Sequence, residues 1–367
     1  MKIKNLLALM LAVLMLTAIA ACNTGTSNSP SPSPSPSEES NETADGEEEG
    51  TAEIATEGTT ETEDETPAEI PDRQPVRLTL ATGGTAGTYY PFGGAIAQVI
   101  ADRTGYISAN AIATGASAEN IQQIGDGESH IAIVQNDVMD YAFNATNTWT
   151  AEAVKDLATL MTLYPEVCQV IVTADSGINS VADLAGRRVS TGDVGSGVEA
   201  NAIQILEAYG MTVSDIQQEH LSFAASADAV RDRIIDAFFV TAGTPNTAVL
   251  DLQTSRELRI LSFEDDIIDA MIAKYPFYAK YTITQEEYSF LDSSVDTVAV
   301  QATLICAPDL DEQVAYDIVK AIIEGKVELE EAHAKGAFID AEYAVQGVSV
   351  AFHPGAARYF RELGVID

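Results

Sequence analysis

Residues 78–101, LTLATGGTAGTYYPFGGAIAQVIA, restrict the fold more than any other stretch. Leu78, Thr79 and Leu80 read as a buried strand, and Gly83, Gly84, Thr85, Ala86 and Gly87 as a turn of small residues. From Tyr90 the chain reads as a helix, with Pro91 in its first turn and Ile96, Ala97, Val99 and Ile100 as its apolar positions. A strand, a glycine loop and a helix start together aim unpaired backbone N–H groups and the positive end of a helix dipole at one point, which suits an anion. The arrangement recurs. Arg188, Val189 and Ser190 end a strand, TGDVGSG over 191–197 forms a loop, and a helix is predicted over 198–209. Two such units predict two lobes that direct helix N-termini at one ligand. Neither loop is a nucleotide motif, because no Gly-Lys-Ser/Thr follows and no complete GxGxxG is paired with a later acid.

The chain begins with a targeting segment over 1–21. Lys2 and Lys4 precede an apolar run over 6–19, and Ile19, Ala20 and Ala21 lead to Cys22. This resembles a bacterial lipobox, in which Cys22 is lipidated and becomes the mature N-terminus. Residues 22–75 then read as a disordered tether, with alternating Ser and Pro over 29–37 and a Glu-, Thr- and Gly-rich stretch over 38–69. Such composition cannot bury enough apolar surface to offset the entropy of ordering. The expected location is extracytoplasmic, with membrane attachment through the lipid alone.

Of 56 acidic and 19 basic residues, the first 75 positions hold 15 and 3, leaving 41 and 16 for the rest, a net charge of −25. Nucleic acid and anionic membrane surfaces are therefore disfavoured partners. Cys168 and Cys306 lie in apolar strand-like runs and read as two buried thiols, with a disulfide as the alternative. The four histidines are scattered and no Cys/His ligand spacing occurs, so neither a metal nor another cofactor is expected. No GxSxG elbow or nucleophile–base motif points to an enzyme.

Over 76–367 short strands alternate with helices, which predicts an α/β fold with a largely parallel sheet. Strands are expected over 109–113, 131–134, 157–163, 167–173, 237–240 and 298–307. Helices are expected over 118–125, with Ser117 as N-cap, and from Asp137 to Phe143, as well as over 227–234, 310–323 and 356–363.

The segments TGGTAGTYYPFGGAIA, TGASAEN, IAIVQNDV, DSGINSVADLAGRRVSTGDVGSG, IDAFFVTAGTPN and HPGAARYFRELG occur in this order. Together they resemble the TAXI family, the solute-binding receptors of one class of TRAP transporters, across essentially all of 76–367. The resemblance implies a type II periplasmic-binding-protein fold, in which two α/β lobes close over a central ligand cleft. It places lobe 1 at 76–167 with 301–367 and lobe 2 at 168–300. It also implies a TRAP membrane permease as partner and a small carboxylate as ligand, such as glutamate or 2-oxoglutarate. A ligand-sensing surface lipoprotein, or an adhesin or antigen, is the alternative.

The expected ligand residues are Gly84, Thr85, Tyr89, Ser117, Gln135 and Asn136 from the first lobe. From the second they are Thr191, Gly195, Ser196, Gly197, Gly243 and Thr244. None is Arg or Lys, so a carboxylate would be held by hydroxyls, amides and helix N-termini rather than by a guanidinium. Val198 stands where relatives often carry Thr.

Overall fold

The chain runs as alternating strands and helices, described over residues 73–367 in a computed structural model. The leader, Cys22 and nearly all of the tether lie outside the described residues. β1 (Val76–Ala81) leads through the first glycine loop into α1 (Tyr89–Thr104), followed by β2 (Ile107–Ile112), α2 (Ser117–Gly125), β3 (Ile131–Gln135) and α3 (Asn136–Asn144). Then come β4 (Ala158–Thr173), β5 (Arg188–Ser190), α4 (Gly197–Ala208), β6 (Gln217–Glu219), α5 (Phe223–Arg231), β7 (Ala237–Ala242) and α6 (Thr247–Gln253). β8 (Leu258–Ile260), α7 (Asp265–Lys274), β9 (Ala279–Ile283) and β10 (Val295–Cys306) precede α8 (Glu312–Glu324), α9 (Lys326–Ala332) and α10 (Pro354–Glu362).

The strands form one sheet in the order β2-β1-β3-β10-β4-β7-β5-β6, with β8 beside β4 and β9 beside β10. The outer wings, β2-β1-β3 and β7-β5-β6, are parallel. β10 is antiparallel to β3, β4 and β9, and β4 is antiparallel to β7 and β8. The sheet is therefore mixed, not largely parallel. Helical crossovers announce the parallel wings in the sequence, but nothing in hydrophobic period reports the direction of the two central strands.

Those two strands belong to both wings. β10 pairs with β9 through Val295 to Ala299 and with β3 through Ala302 to Cys306. β4 meets β10 from Ala158 to Val167 and β7 from Val167 to Val172. Helices cover both faces, and separate apolar clusters form on each side: Leu80, Phe92, Ile318 and Phe360 in the first wing, Val189, Ile205, Phe239 and Met271 in the second. This is the two-lobed α/β architecture expected of a type II periplasmic-binding protein.

Where β4 runs, the sequence predicts two strands, over 157–163 and 167–173. It is one strand of 16 residues. Pro165 lies in register opposite Gln301, and register shifts follow between Ala302 and Thr303 and between Leu304 and Ile305. Cys168 and Cys306 are buried free thiols, not a disulfide.

Candidate functional site

Both glycine loops open onto the seam between the wings. In the first, the Gly87 N–H donates to Gly84 O at 2.9 Å, which closes the turn. Thr88 follows as the N-cap of α1 without a side-chain cap of its own. Its hydroxyl instead lies 3.4 Å from Gly243 O, in the other wing. In the second loop Ser196 is the N-cap of α4 and its Oγ accepts from the Glu199 N–H at 3.2 Å. Gly195 sits at φ +74, a left-handed conformation that glycine adopts at little cost. Its N–H donates to the Glu199 carboxylate at 2.7 Å, and its carbonyl accepts from the Ala118 N–H at 3.3 Å at the start of α2. One wing's loop thus rests on the other wing's helix start, so the cleft is closed.

A cavity of about 50 Å³ remains in the seam. The first wing supplies Gly84, Tyr89, Ser117 and Gln135; the second supplies Gly197, Val198, Phe223 and Thr241. The starts of α1 and α4 therefore face the same space. A larger recess of about 300 Å³ shares Gly84, Val198 and Phe223 with it and adds Thr85, Asp193 and Ser196. Among the described residues, no Arg, Lys or His lines either space.

Gln135 is the N-cap of α3, but its side chain does not cap the helix. It turns into the cavity, where its Oε1 is buried without a partner among the described residues. A Cβ added at Gly197 would collide with this amide. Glycine is thus required by the approach of the opposite wing, in addition to any ligand. Ser117, expected as an N-cap, is the first residue of α2; its Oγ accepts the Gln135 N–H at 3.1 Å, while Ala116 takes the cap position at φ +70. Tyr89 is buried, and Tyr90 is exposed.

The floor of the cavity holds a residue absent from the sequence-based set. Glu166 of β4 is 2 % exposed. Its Oε2 accepts from the Tyr89 hydroxyl at 2.8 Å, and its Oε1 has the Tyr164 hydroxyl at 3.4 Å. Burial pushes its carboxyl up to about 8; hydrogen bonds from Tyr89 and Gln135 pull it down only partly, and Asp137 nearby adds to the rise. The signal was present in the sequence, as a lone acid within the apolar run LYPEVCQVIV. Phe223 carried no such signal.

Five expected residues line neither space. The Asn136 Oδ1 accepts from the Gln301 N–H and its Nδ2 donates to Gly347 O, which ties α3 to β10. Thr191 is fully buried behind its loop, where Oγ1 accepts from Gln218 Nε2 at 2.8 Å. Gly195 is engaged as described. Gly243 packs beneath Lys335, whose Cε would stand 2.6 Å from an added Cβ. The Thr244 hydroxyl donates to Glu287. Lys335 is itself buried; loss of water lowers its ammonium to about 8, against the pull of Glu287 and Glu166.

Deeper in the seam lies a polar cluster. Asp137 of α3 accepts at 3.0 Å from Asn201 Nδ2 of α4, which also donates to the Tyr278 hydroxyl at 2.8 Å. Tyr278 donates to Gln204 Oε1 at 2.6 Å, and Gln204 Nε2 donates to the Tyr141 hydroxyl at 3.1 Å. Asp137 is fully buried, its Oδ1 has no partner among the described residues, and burial raises its carboxyl to about 7.

The sequence pattern of the NMT1-like family matches residues 80–364. Among solved structures, the periplasmic aliphatic sulphonate binding protein of Escherichia coli is 16% identical with a TM-score of 0.43, covering 78% of this chain and 84% of its own. A putative L-cystine ABC transporter protein from Listeria monocytogenes is 14% identical with a TM-score of 0.47, covering 75% and 100%. The GluR0 ligand-binding core from Nostoc punctiforme, in complex with L-glutamate, is 16% identical with a TM-score of 0.43, covering 70% and 98%.

Proposed function

The chain belongs to the NMT1-like family, and on that premise we propose that it is an extracytoplasmic solute-binding receptor for a small carboxylate. The observation that carries this is the shared cavity: the starts of α1 and α4, one from each wing, line a single space. Backbone N–H groups and helix dipoles there stabilise a carboxylate without a cationic side chain. The lobes are 76–167 with 301–367 and 168–300, and β4 and β10 are the strands about which they open and close. Cys22 carries the lipid that holds the receptor at the membrane. The carboxylate passes to a TRAP-type permease, as the resemblance of six ordered segments to TAXI receptors implies.

Thermal melting against amino acids, monocarboxylates and dicarboxylates tests this. A true ligand at 100 times its Kd adds about 2.7 kcal/mol of stability and raises the melting temperature accordingly. If no carboxylate in the panel shifts the transition, the receptor reading fails.

A further inference from the structure

The second wing gathers its positive charge in one place. From Cys168 to Ser262 there are twelve acids and six bases, and all six bases are Arg. Four of them, Arg187, Arg188, Arg233 and Arg256, line one recess of about 220 Å³ together with Asp175 and Asp236. Topology puts this recess at the outer end of the wing. Arg188 opens β5, Asp236 immediately precedes β7, and Asp175 follows the end of β4. The solute cavity lies at the other end of the same strands, where Thr241 and Ala242 finish β7. A strand of that length separates the two by about 20 Å. The four arginines are not equally committed. Arg188 Nε and Nη2 donate to the two oxygens of Asp236, at 3.1 and 2.7 Å, and Arg256 Nη2 donates to the Arg231 carbonyl. Among the described residues, no carboxylate pairs with the guanidinium of Arg187 or Arg233. Arg233 also holds φ +60, a left-handed conformation that a residue with a β-carbon adopts only at a cost. A hydrogen bond from Thr173 is the main reason the Asp175 carboxyl sits below its usual range, and the charges of Arg233 and Arg256 add to it.

We propose that this recess is a second binding site, for a phosphoryl dianion, supplied either as inorganic phosphate or as the phosphate of a lipid headgroup. Four guanidinium groups against two carboxylates leave it two positive charges, in a chain whose net charge is −37. A dianion matches that excess. Planar guanidinium forks reaching in from β5, from the turn after α5 and from the turn after α6 suit the several faces of a tetrahedral oxyanion better than the single plane of a carboxylate. The recess admits one small group, and the acidic surface beyond it repels extended polyanions such as nucleic acid. Arg187 and Arg233 supply the unspent donors, while Arg188, already gripped by Asp236, fixes the wall. The site shares no residue with the solute cavity and does not depend on what that cavity holds.

The test is calorimetric titration of inorganic phosphate into the full chain, into Arg187→Gln/Arg233→Gln and into Gly197→Val, all at one low ionic strength because salt screens such contacts. The double variant should bind phosphate about 10- to 150-fold more weakly than the parent, the range of a hydrogen bond to a charged group. Arg233→Gln alone, at an exposed position, should weaken binding in the same direction and serves if the double variant does not fold. Gly197→Val, which obstructs the solute cavity, should bind phosphate like the parent, and this separates the recess from the helix starts of α1 and α4. Co-sedimentation of the Cys22→Ala chain with phosphatidylcholine vesicles, with and without phosphatidic acid, identifies the source of the group. Retention that needs both phosphatidic acid and the two arginines assigns a headgroup; phosphate binding without retention assigns the free anion. The site is overturned if the parent binds neither phosphate nor these vesicles, if the arginine variants bind phosphate as tightly as the parent, or if Gly197→Val loses it.

Discussion

Replacing Asp137 by Asn should make the protein less sensitive to pH. Asp137 is fully buried where α3 meets α4, held by Asn201 Nδ2 at 3.0 Å, with its second oxygen unpartnered. Loss of water is the main reason its carboxyl rises from 3.8 to about 7, and Asp140 pushes the same way, while hydrogen bonds from Val138 N–H and Asn201 oppose it. Between those two pH values the native protein keeps a proton that the unfolded chain has released, so the native state binds more protons. Stability therefore falls as pH rises through this window; the cost is absent below about 4 and complete above about 7. At 1.36 kcal/mol per pH unit, the full rise corresponds to roughly 4 kcal/mol as an upper bound. Glu166, raised to about 8, contributes with the same sign, whereas Lys335, lowered to about 8 from 10.5, changes the slope only above that point. Asn keeps the oxygen that accepts from Asn201 and has no charge to desolvate. Urea unfolding of parent and Asp137→Asn at pH 5 and pH 7.5 measures the difference. The parent should lose more stability than the variant on going to the higher pH, by up to about 3 kcal/mol, the share of the rise that lies above pH 5. Equal losses in the two proteins would show that Asp137 is not the source.

Gly197→Val should abolish ligand binding while the fold persists, because the new side chain strikes Gln135 only when the wings are together; calorimetry with circular dichroism as control checks it, and a binding-competent variant would refute the closed geometry. Cys22→Ala should release the protein from the membrane fraction, since the lipid is its proposed anchor, and persistence there after a salt wash would count against the lipobox.

Much of the first wing was legible. The loop from Gly83 to Gly87 is flanked by a strand and a helix whose apolar spacing is regular, and the structure puts them at β1 and α1. The second loop was equally plain as a glycine-rich turn between strand and helix, and the structure adds the Ser196–Glu199 cap bond. Thr191 shows the limit: its hydroxyl looks available in sequence, yet Gln218, far along the chain, turns it into a strut. Glu166 sits in an apolar run that hints at burial and Asp137 has no such mark, but residue type singles out neither. Acids are abundant in this chain, and only burial, which comes from strands brought together over long separations, marks these two as different. The direction of β4 and β10 was hidden as well, because hydrophobic runs of four to eight residues look alike whichever way the strand points.

The position of β10 also sets an order of assembly. It lies between β3 and β4, so Ala302 pairs with Gln135 and Cys306 with Ala158. While the chain is still emerging, β3 therefore has an open edge, and its sequence IAIVQ is wholly buried in the finished molecule. Open apolar edges recruit other strands, and pairings over such separations are slow to form. β5, β6 and β7, by contrast, need only one another and the already synthesised β4. These pairings of the second wing can thus form first, although its apolar clusters close only when Val295, Val298, Ala299 and Val300 of β10 arrive. A cell making this chain has to shield the nascent first wing from foreign strands until Val295–Cys306 arrives to fill the gap.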